Sequence, residues 1–154
     1  MTFLHGNQEG TGSKLEVEIS PAEGCEIGTV TFRILPQCGT RRDYGRHQYT
    51  SDGETSVSFR AEQLGHVLSV LRGCTDNLTK HKSRGLSESR NPEARNNCLY
   101  IDAITTPFVG YAIHIKCREG DSDCCRHGRI CLTLSEAIVL EAALTSAMGK
   151  VAFG

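Results

Sequence analysis

Hydrophobic and polar residues alternate in several short runs of this chain and switch to helical spacing at two places. The clearest switch lies between Arg129 and Gly149. Ile130, Leu132 and Leu134 fall on one face and Arg129, Cys131 and Thr133 on the other, the period of a half-buried strand. Apolar positions then recur every three or four residues through Ala137, Val139, Leu140, Ala143, Leu144, Ala147 and Met148, as on a helix. Thr133 and Glu136 have capping-box spacing at the junction, with Ser135 as a second cap candidate. The stretch from Thr55 to Gly73 repeats the design. Val57 and Phe59 make the strand face, Leu64, Val67, Leu68 and Leu71 the helix face, and Gly73 the stop. Two strand-to-helix modules in one short chain point to an internal duplication.

The rest of the chain fits around these modules. Leu15, Val17 and Ile19 alternate with Lys14, Glu16 and Glu18. After a turn at 21–28, Val30, Phe32 and Ile34 alternate with Thr31 and Arg33, so the two runs predict an antiparallel hairpin with one wet face. A short strand is expected around His47 to Thr50. In the second half, Leu99, Ile101 and Ala103 oppose Tyr100 and Asp102. After the turn from Thr105 to Gly110, Tyr111, Ile113 and Ile115 oppose Ala112, His114 and Lys116. Arg118 to Gly128 reads as a polar, cysteine-rich loop. The expected organisation is a flexible leader over 1–13, repeat one over 14–73, a linker over 74–97 and repeat two over 98–154. Strands followed by a helix, twice, make an α+β protein with two antiparallel sheets, each with one helix.

Composition narrows the function classes. The chain has 154 residues, enough for one compact domain or two small intertwined halves. With 38% hydrophobic and 23% charged residues it is expected to fold. Its formal net charge of −1 means that any nucleic-acid partner is met by a local patch. No stretch has the length of a membrane span. The eight cysteines are read as mostly reduced thiols of an intracellular protein. Cys117, Cys124, Cys125, His127 and Cys131 cluster around one hairpin connection. They include no Cys-x2-Cys pair, and adjacent cysteines rarely both face one ion, so no metal and no cofactor is expected. A redox-labile loop is an alternative for them. The six histidines lack metal-protease spacing, no cysteine stands out as a nucleophile, and the glycine-rich run from Gly6 to Gly12 lacks the lysine of a phosphate loop. A non-catalytic protein is the expectation.

Two features offer binding chemistry. Arg33, Arg60, His114, Lys116, Arg129 and Tyr100 alternate away from the apolar faces. On neighbouring antiparallel strands they would form a basic stripe, with cations for phosphates and flat rings for bases. The bland alternative is a solvated face. The loops holding Arg41, Arg42, Tyr44 and Arg46, and Lys80 to Arg95, would clamp phosphates or act as solvated connections. The last helix is apolar over a wider arc than one sheet needs, including Ile138, Val139 and Ala142, which predicts burial against another subunit.

The layout from Lys14 to Gly154 resembles the Whirly family of single-stranded nucleic-acid-binding proteins and the kinetoplastid mitochondrial RNA-binding proteins of the same fold. Tyr49 to Val70 is similar to the family's strand, hairpin and first helix, Cys98 to Cys117 to its second hairpin, and Ile130 to Gly154 to its last strand and helix. The plant proteins' lysine-glycine-lysine-alanine motif is missing, and Ser51-Asp52-Gly53-Glu54 stands near its place. Tryptophan is absent too, and both departures favour the kinetoplastid type. The resemblance implies two four-stranded sheets each with a helix, a tetramer through the helices, single-stranded RNA or DNA on the sheet faces, a role in RNA annealing, editing or processing, and a mitochondrial setting. The rival expectation is a scaffolding subunit working through protein contacts, as Glu16, Glu18 and Asp102 on wet faces would allow.

Overall fold

The computed structural model describes residues 1–74, 86–87, 96–118 and 125–154, with the backbone alone at 86, 87, 96, 118 and 125. The basic run from Lys80 to Arg95 therefore falls outside the described residues apart from the backbone of 86–87, and Cys124 of the cysteine cluster also lies outside. The strands are β1 (Thr2–His5), β2 (Ser13–Ser20), β3 (Thr29–Gly39), β4 (Gln48–Tyr49), β5 (Thr55–Phe59), β6 (Leu86–Ser87), β7 (Asn96–Ile104), β8 (Gly110–Arg118) and β9 (Cys125–Thr133). The helices are α1 (Arg41–Tyr44), α2 (Ala61–Leu71) and α3 (Leu134–Phe153).

All strand pairs are antiparallel. Sheet one runs β1-β2-β3, with both β4 and β5 paired to β3, and sheet two runs β6-β7-β8-β9. The duplication is plain in the connections: β5 enters α2 across Arg60, and β9 enters α3 directly at Thr133. Thr133 caps α3 as its spacing predicts. The Glu136 amide donates to Thr133 Oγ1 at 3.3 Å, and the Thr133 amide donates to Glu136 Oε2 at 2.8 Å. Leu134, expected at the end of the strand, is instead the first helical residue.

The first strand of each sheet falls where no strand was expected. The leader supplies β1, whose Phe3 pairs with Leu15 and is buried, while the Met1 amine donates to the Val17 carbonyl at 2.9 Å. The following glycine-rich segment is held by the buried Gln37. Its Oε1 accepts from the Asn7 and Gly12 amides at 2.9 and 3.1 Å, and its Nε2 donates to the Asn7 carbonyl at 2.8 Å. The first thirteen residues are thus paired into the domain and do not form a flexible leader. β6 lies within the expected linker and pairs with β7 at Leu99 and Cys98.

One core joins both repeats. Leu15, Phe32, Ile34 and Phe59 from sheet one, Leu99, Ile113, Ile115 and Leu132 from sheet two, and Leu64, Leu140 and Leu144 from the helices are all buried in it. Phe32 and Phe59 meet edge-to-face with ring centres 5.1 Å apart. The sheets meet tightly at Gly128, where a Cβ would overlap Thr55 Oγ1 and lie 3.0 Å from Ile34 Cβ. Arg72 at the end of α2 reaches α3, donating to Glu141 and, at 2.8 Å, to Thr145 Oγ1. Among the described residues no helix is long and apolar enough to cross a membrane.

Candidate nucleic-acid interface

Strand alternation gives each sheet an outer face, and the two faces differ in charge. On sheet two, β8 lies between β7 and β9, and three of the cross-strand rows that the register sets carry the candidate residues and their neighbours. Cys98, Lys116 and His127 form the first, Tyr100, His114 and Arg129 the second, and Asp102, Ala112 and Cys131 the third. Their inner neighbours Leu99, Ile113, Ile115 and Ile130 are buried, which holds the outer residues in place from below.

The outer side chains touch one another. Tyr100 and His114 have ring centres 6.2 Å apart, and His114 and His127 have theirs 5.4 Å apart with the planes inclined by 37°. His114 Nε2 and His127 Nδ1 lie 3.2 Å apart, within hydrogen-bond reach. The Lys116 ammonium stands 5.2 Å from the centre of the Tyr100 ring. Arg129 is exposed and makes no ion pair among the described residues. Burial lowers the His114 pKa, and Lys116, His127 and Arg129 lower it further, while Asp102 opposes them. Flat rings at the centre with cations beside them can stack bases and hold phosphates together.

Sheet one presents a different face. The Arg33 guanidinium donates to Glu18 Oε2 at 2.9 Å, and Lys14 pairs with Glu16 at 2.6 Å. Between them the outer residues are Thr31, Ser56 and Ser58, and Thr31 and Ser58 share a hydrogen bond of 2.7 Å. A carboxylate that neutralises a cation leaves it little net attraction for phosphate.

The expected single stripe is therefore divided. Tyr100, His114, Lys116 and Arg129 are brought together on sheet two. Arg33 is on sheet one and committed to Glu18. Arg60 is the N-cap residue of α2, where its backbone amide donates to Gln63 Oε1 at 3.1 Å. Arg41, Arg42, Tyr44 and Arg46 form an exposed group around α1. There the Arg41 amide donates to His47 Nδ1 at 3.0 Å, and the Tyr44 ring lies against Gly39. Lys14, 5.7 Å from the centre of the Tyr49 ring, stands close to this end of sheet one.

Sequence reasoning missed His127 as a member of the face, because 118–128 reads as a loop. The signal was present: His127, Arg129 and Cys131 share one parity, so the β9 alternation extends back past Gly128. The hairpin instead pairs from Gly110 with Thr133 out to Arg118 with Cys125. Of the cysteine cluster, Cys117 is buried with its thiol directed at the Ser56 carbonyl, while Cys131 is on the outer face. Among the described residues no three His, Cys, Asp or Glu side chains converge as metal ligands.

No family profile and no curated protein sequence matches the chain. Solved structures do. WHY1 from Arabidopsis thaliana superposes with a TM-score of 0.64 at 14% identity, over 98% of this chain and 91% of that one. The plant transcriptional regulator PBF-2 gives a TM-score of 0.63 at 18% identity, over 98% and 80%. The MRP1/MRP2 structure from Trypanosoma brucei gives 0.58 at 19% identity, over 100% and 94%. The chain has the Whirly-like fold that its sequence resemblance implied.

Proposed function

We propose that this protein is a non-catalytic binder of single-stranded nucleic acid, with RNA the favoured ligand, acting as an accessory factor in RNA annealing, editing or processing. The observation that carries the reading is the outer face of sheet two, where Tyr100, His114 and His127 form a run of rings flanked by Lys116 and Arg129. Such a face binds with little sequence preference, because every base has a π-face and every nucleotide a phosphate. Arg41, Arg42 and Arg46 add phosphate contacts at the end of sheet one. RNA is favoured because the missing plant motif and tryptophans leave the chain nearer the kinetoplastid type, which also supports a mitochondrial setting. Similarity to a plant transcriptional regulator makes single-stranded DNA the second ligand to assay.

The functional unit in this reading is an oligomer, a tetramer by the family resemblance, built through α3. That helix buries Ala137, Leu140, Leu144, Ala147 and Val151 but leaves Ile138 60% and Val139 56% exposed. An apolar side on a helix whose other side already fills the core is suited to a second subunit. One observation favours the scaffold alternative: the neutralised outer face of sheet one, with Glu16 and Glu18 holding its cations.

Fluorescence anisotropy of labelled RNA and DNA single strands of about twenty nucleotides, titrated at two salt concentrations, tests the reading. Light scattering on the same samples gives the size of the bound species. Tight binding that weakens steeply with salt is the expected result. A folded oligomer that binds neither strand at low salt would overturn it and leave the scaffold.

A further inference from the structure

We propose that nucleic-acid binding by this protein is coupled to proton uptake at the His114–His127 pair, so that the same face binds more tightly as pH falls. This rests on the nucleic-acid reading above and adds regulation to that site.

The geometry begins with the short contact. His114 Nε2 and His127 Nδ1 face each other at 3.2 Å. One of these nitrogens must carry the hydrogen and the other the lone pair. The pair can therefore hold one extra proton, on an outward nitrogen, and keep its hydrogen bond. A second extra proton would set two N–H groups against each other.

The surroundings of the pair set the direction of the coupling. From β7 it is faced by Cys98, Tyr100 and Asp102, from β8 by Lys116, and from β9 by Arg129 and Cys131. Lys116 and Arg129 are permanent cations near neutral pH, and the one carboxylate among these groups, Asp102, is in the next row, across from Ala112. In the unliganded protein the extra proton is disfavoured on His114, because burial and then Lys116, His127 and Arg129 oppose charge there and outweigh the pull of Asp102. A phosphate chain laid on Lys116 and Arg129 reverses the local field. Each phosphate brings a negative charge next to the imidazoles, and the protonated form becomes the favoured one.

The sign follows from linkage. The bound state has the higher affinity for the proton, so falling pH drives binding. Above the imidazole range the pair is neutral in both states and affinity is flat. Between the free and bound titration points up to one proton is taken up per binding event, and affinity changes by at most about tenfold per pH unit. Below both points it is flat again. Burial and the neighbouring cations hold the His114 pKa below its ordinary value in the free protein, so the response at His114 extends downward from the usual histidine range.

The test is anisotropy of a labelled single-stranded RNA of about twenty nucleotides from pH 8 to 5.5 at constant ionic strength. For the wild-type protein an affinity gain of about tenfold is expected over that span, and for H114Q/H127Q a flat profile. H66Q, a change on the exposed side of α2, should keep the wild-type slope. Calorimetry of the unmutated protein in two buffers of different ionisation enthalpy counts the protons directly and does not depend on any variant's folding. A tenfold gain requires a net uptake of about half a proton at the pH where the affinity slope is steepest, and that is the expected count. A flat wild-type profile with zero uptake would overturn the coupling while leaving the binding function intact. A double variant that keeps the full slope would overturn its assignment to this pair. Failure to bind at any pH would remove the parent reading and this inference together.

Discussion

Arg129→Ala and Arg33→Ala make the most discriminating pair of variants, because the sequence assigned both residues the same role and the structure separates them. Both are arginines on the outer face of a strand. Arg129 is exposed and unpaired among the described residues, while Arg33 donates to Glu18 Oε2 at 2.9 Å. Binding to a single strand releases counterions in proportion to the phosphates neutralised, and each contact adds about 0.7 to the slope of log affinity against log salt. Lys116, Arg129, Arg41, Arg42 and Arg46 are the cations that make no ion pair among the described residues and stand on the two candidate surfaces. If all five engage, the slope is about −3.5, and affinity falls by about a hundredfold between 50 and 200 mM salt. R129A should reduce the slope by about 0.7, so that the same salt step costs about fiftyfold. R33A should leave the slope unchanged, since removing a cation already neutralised releases no further counterions. Anisotropy titrations at four or five salt concentrations resolve a difference of this size. Equal loss of slope in both variants would refute the division between the faces. An unchanged slope in R129A would refute the placement of phosphate on sheet two.

Four further outcomes test the fold and the assembly. Gly128→Ala puts a methyl group into Thr55 Oγ1 and close to Ile34 where the sheets meet, so overpacking should cost about 1–3 kcal/mol, with a fall in Tm of about 2–4 °C per kcal/mol. Combined with Thr55→Ala it should lose less than the two changes added, and strict additivity in urea melts would contradict that contact. Thr133→Ala removes the α3 cap and should cost about 1 kcal/mol. Burial alone would raise the Glu136 pKa, but hydrogen bonds from the Thr133 amide, His5 and the Thr133 hydroxyl together lower it. Its contribution is therefore complete above the unfolded-state carboxylate value and lost as pH falls through the folded value. E136Q should flatten that part of the acid limb in chemical denaturation measured from pH 7 to 3, and an unaltered limb would count against the cap. Val139→Glu places a charge on the exposed apolar side of α3 and should reduce the particle size in light scattering with little loss of monomer stability. An unchanged size would show that this side of α3 is not the subunit contact.

Much of the fold was legible because its determinants are local. The β9-to-α3 junction is an example. Alternation through Leu132, helical spacing from Ala137 and the Thr133–Glu136 cap all lie within a few residues of one another, and the structure repeats them. β1 and β6 were illegible for the opposite reason. Strands of four and two residues are too short to show a period, and what makes them strands is a partner already in place: Leu15 beside Phe3, and Leu99 and Cys98 beside β6. The leader's order likewise depends on Gln37, an amide far along the chain.

The candidate site divides along the same line. Side-chain parity, readable from the sequence, separated Tyr100, His114, Lys116 and Arg129 from the apolar residues between them, because successive side chains on a strand point to opposite faces. Parity does not say which strands are neighbours or which ions meet. Only the tertiary register sets Glu18 diagonally across from Arg33, removing that arginine from the basic surface, and brings His127 against His114 from a segment that reads as a loop. Sequence determined the elements, their faces and their caps, since these arise from contacts within one or two turns of chain. The structure decided which charges remain uncommitted, because ion pairing depends on distances of a few ångströms between residues that only the packed sheets bring together.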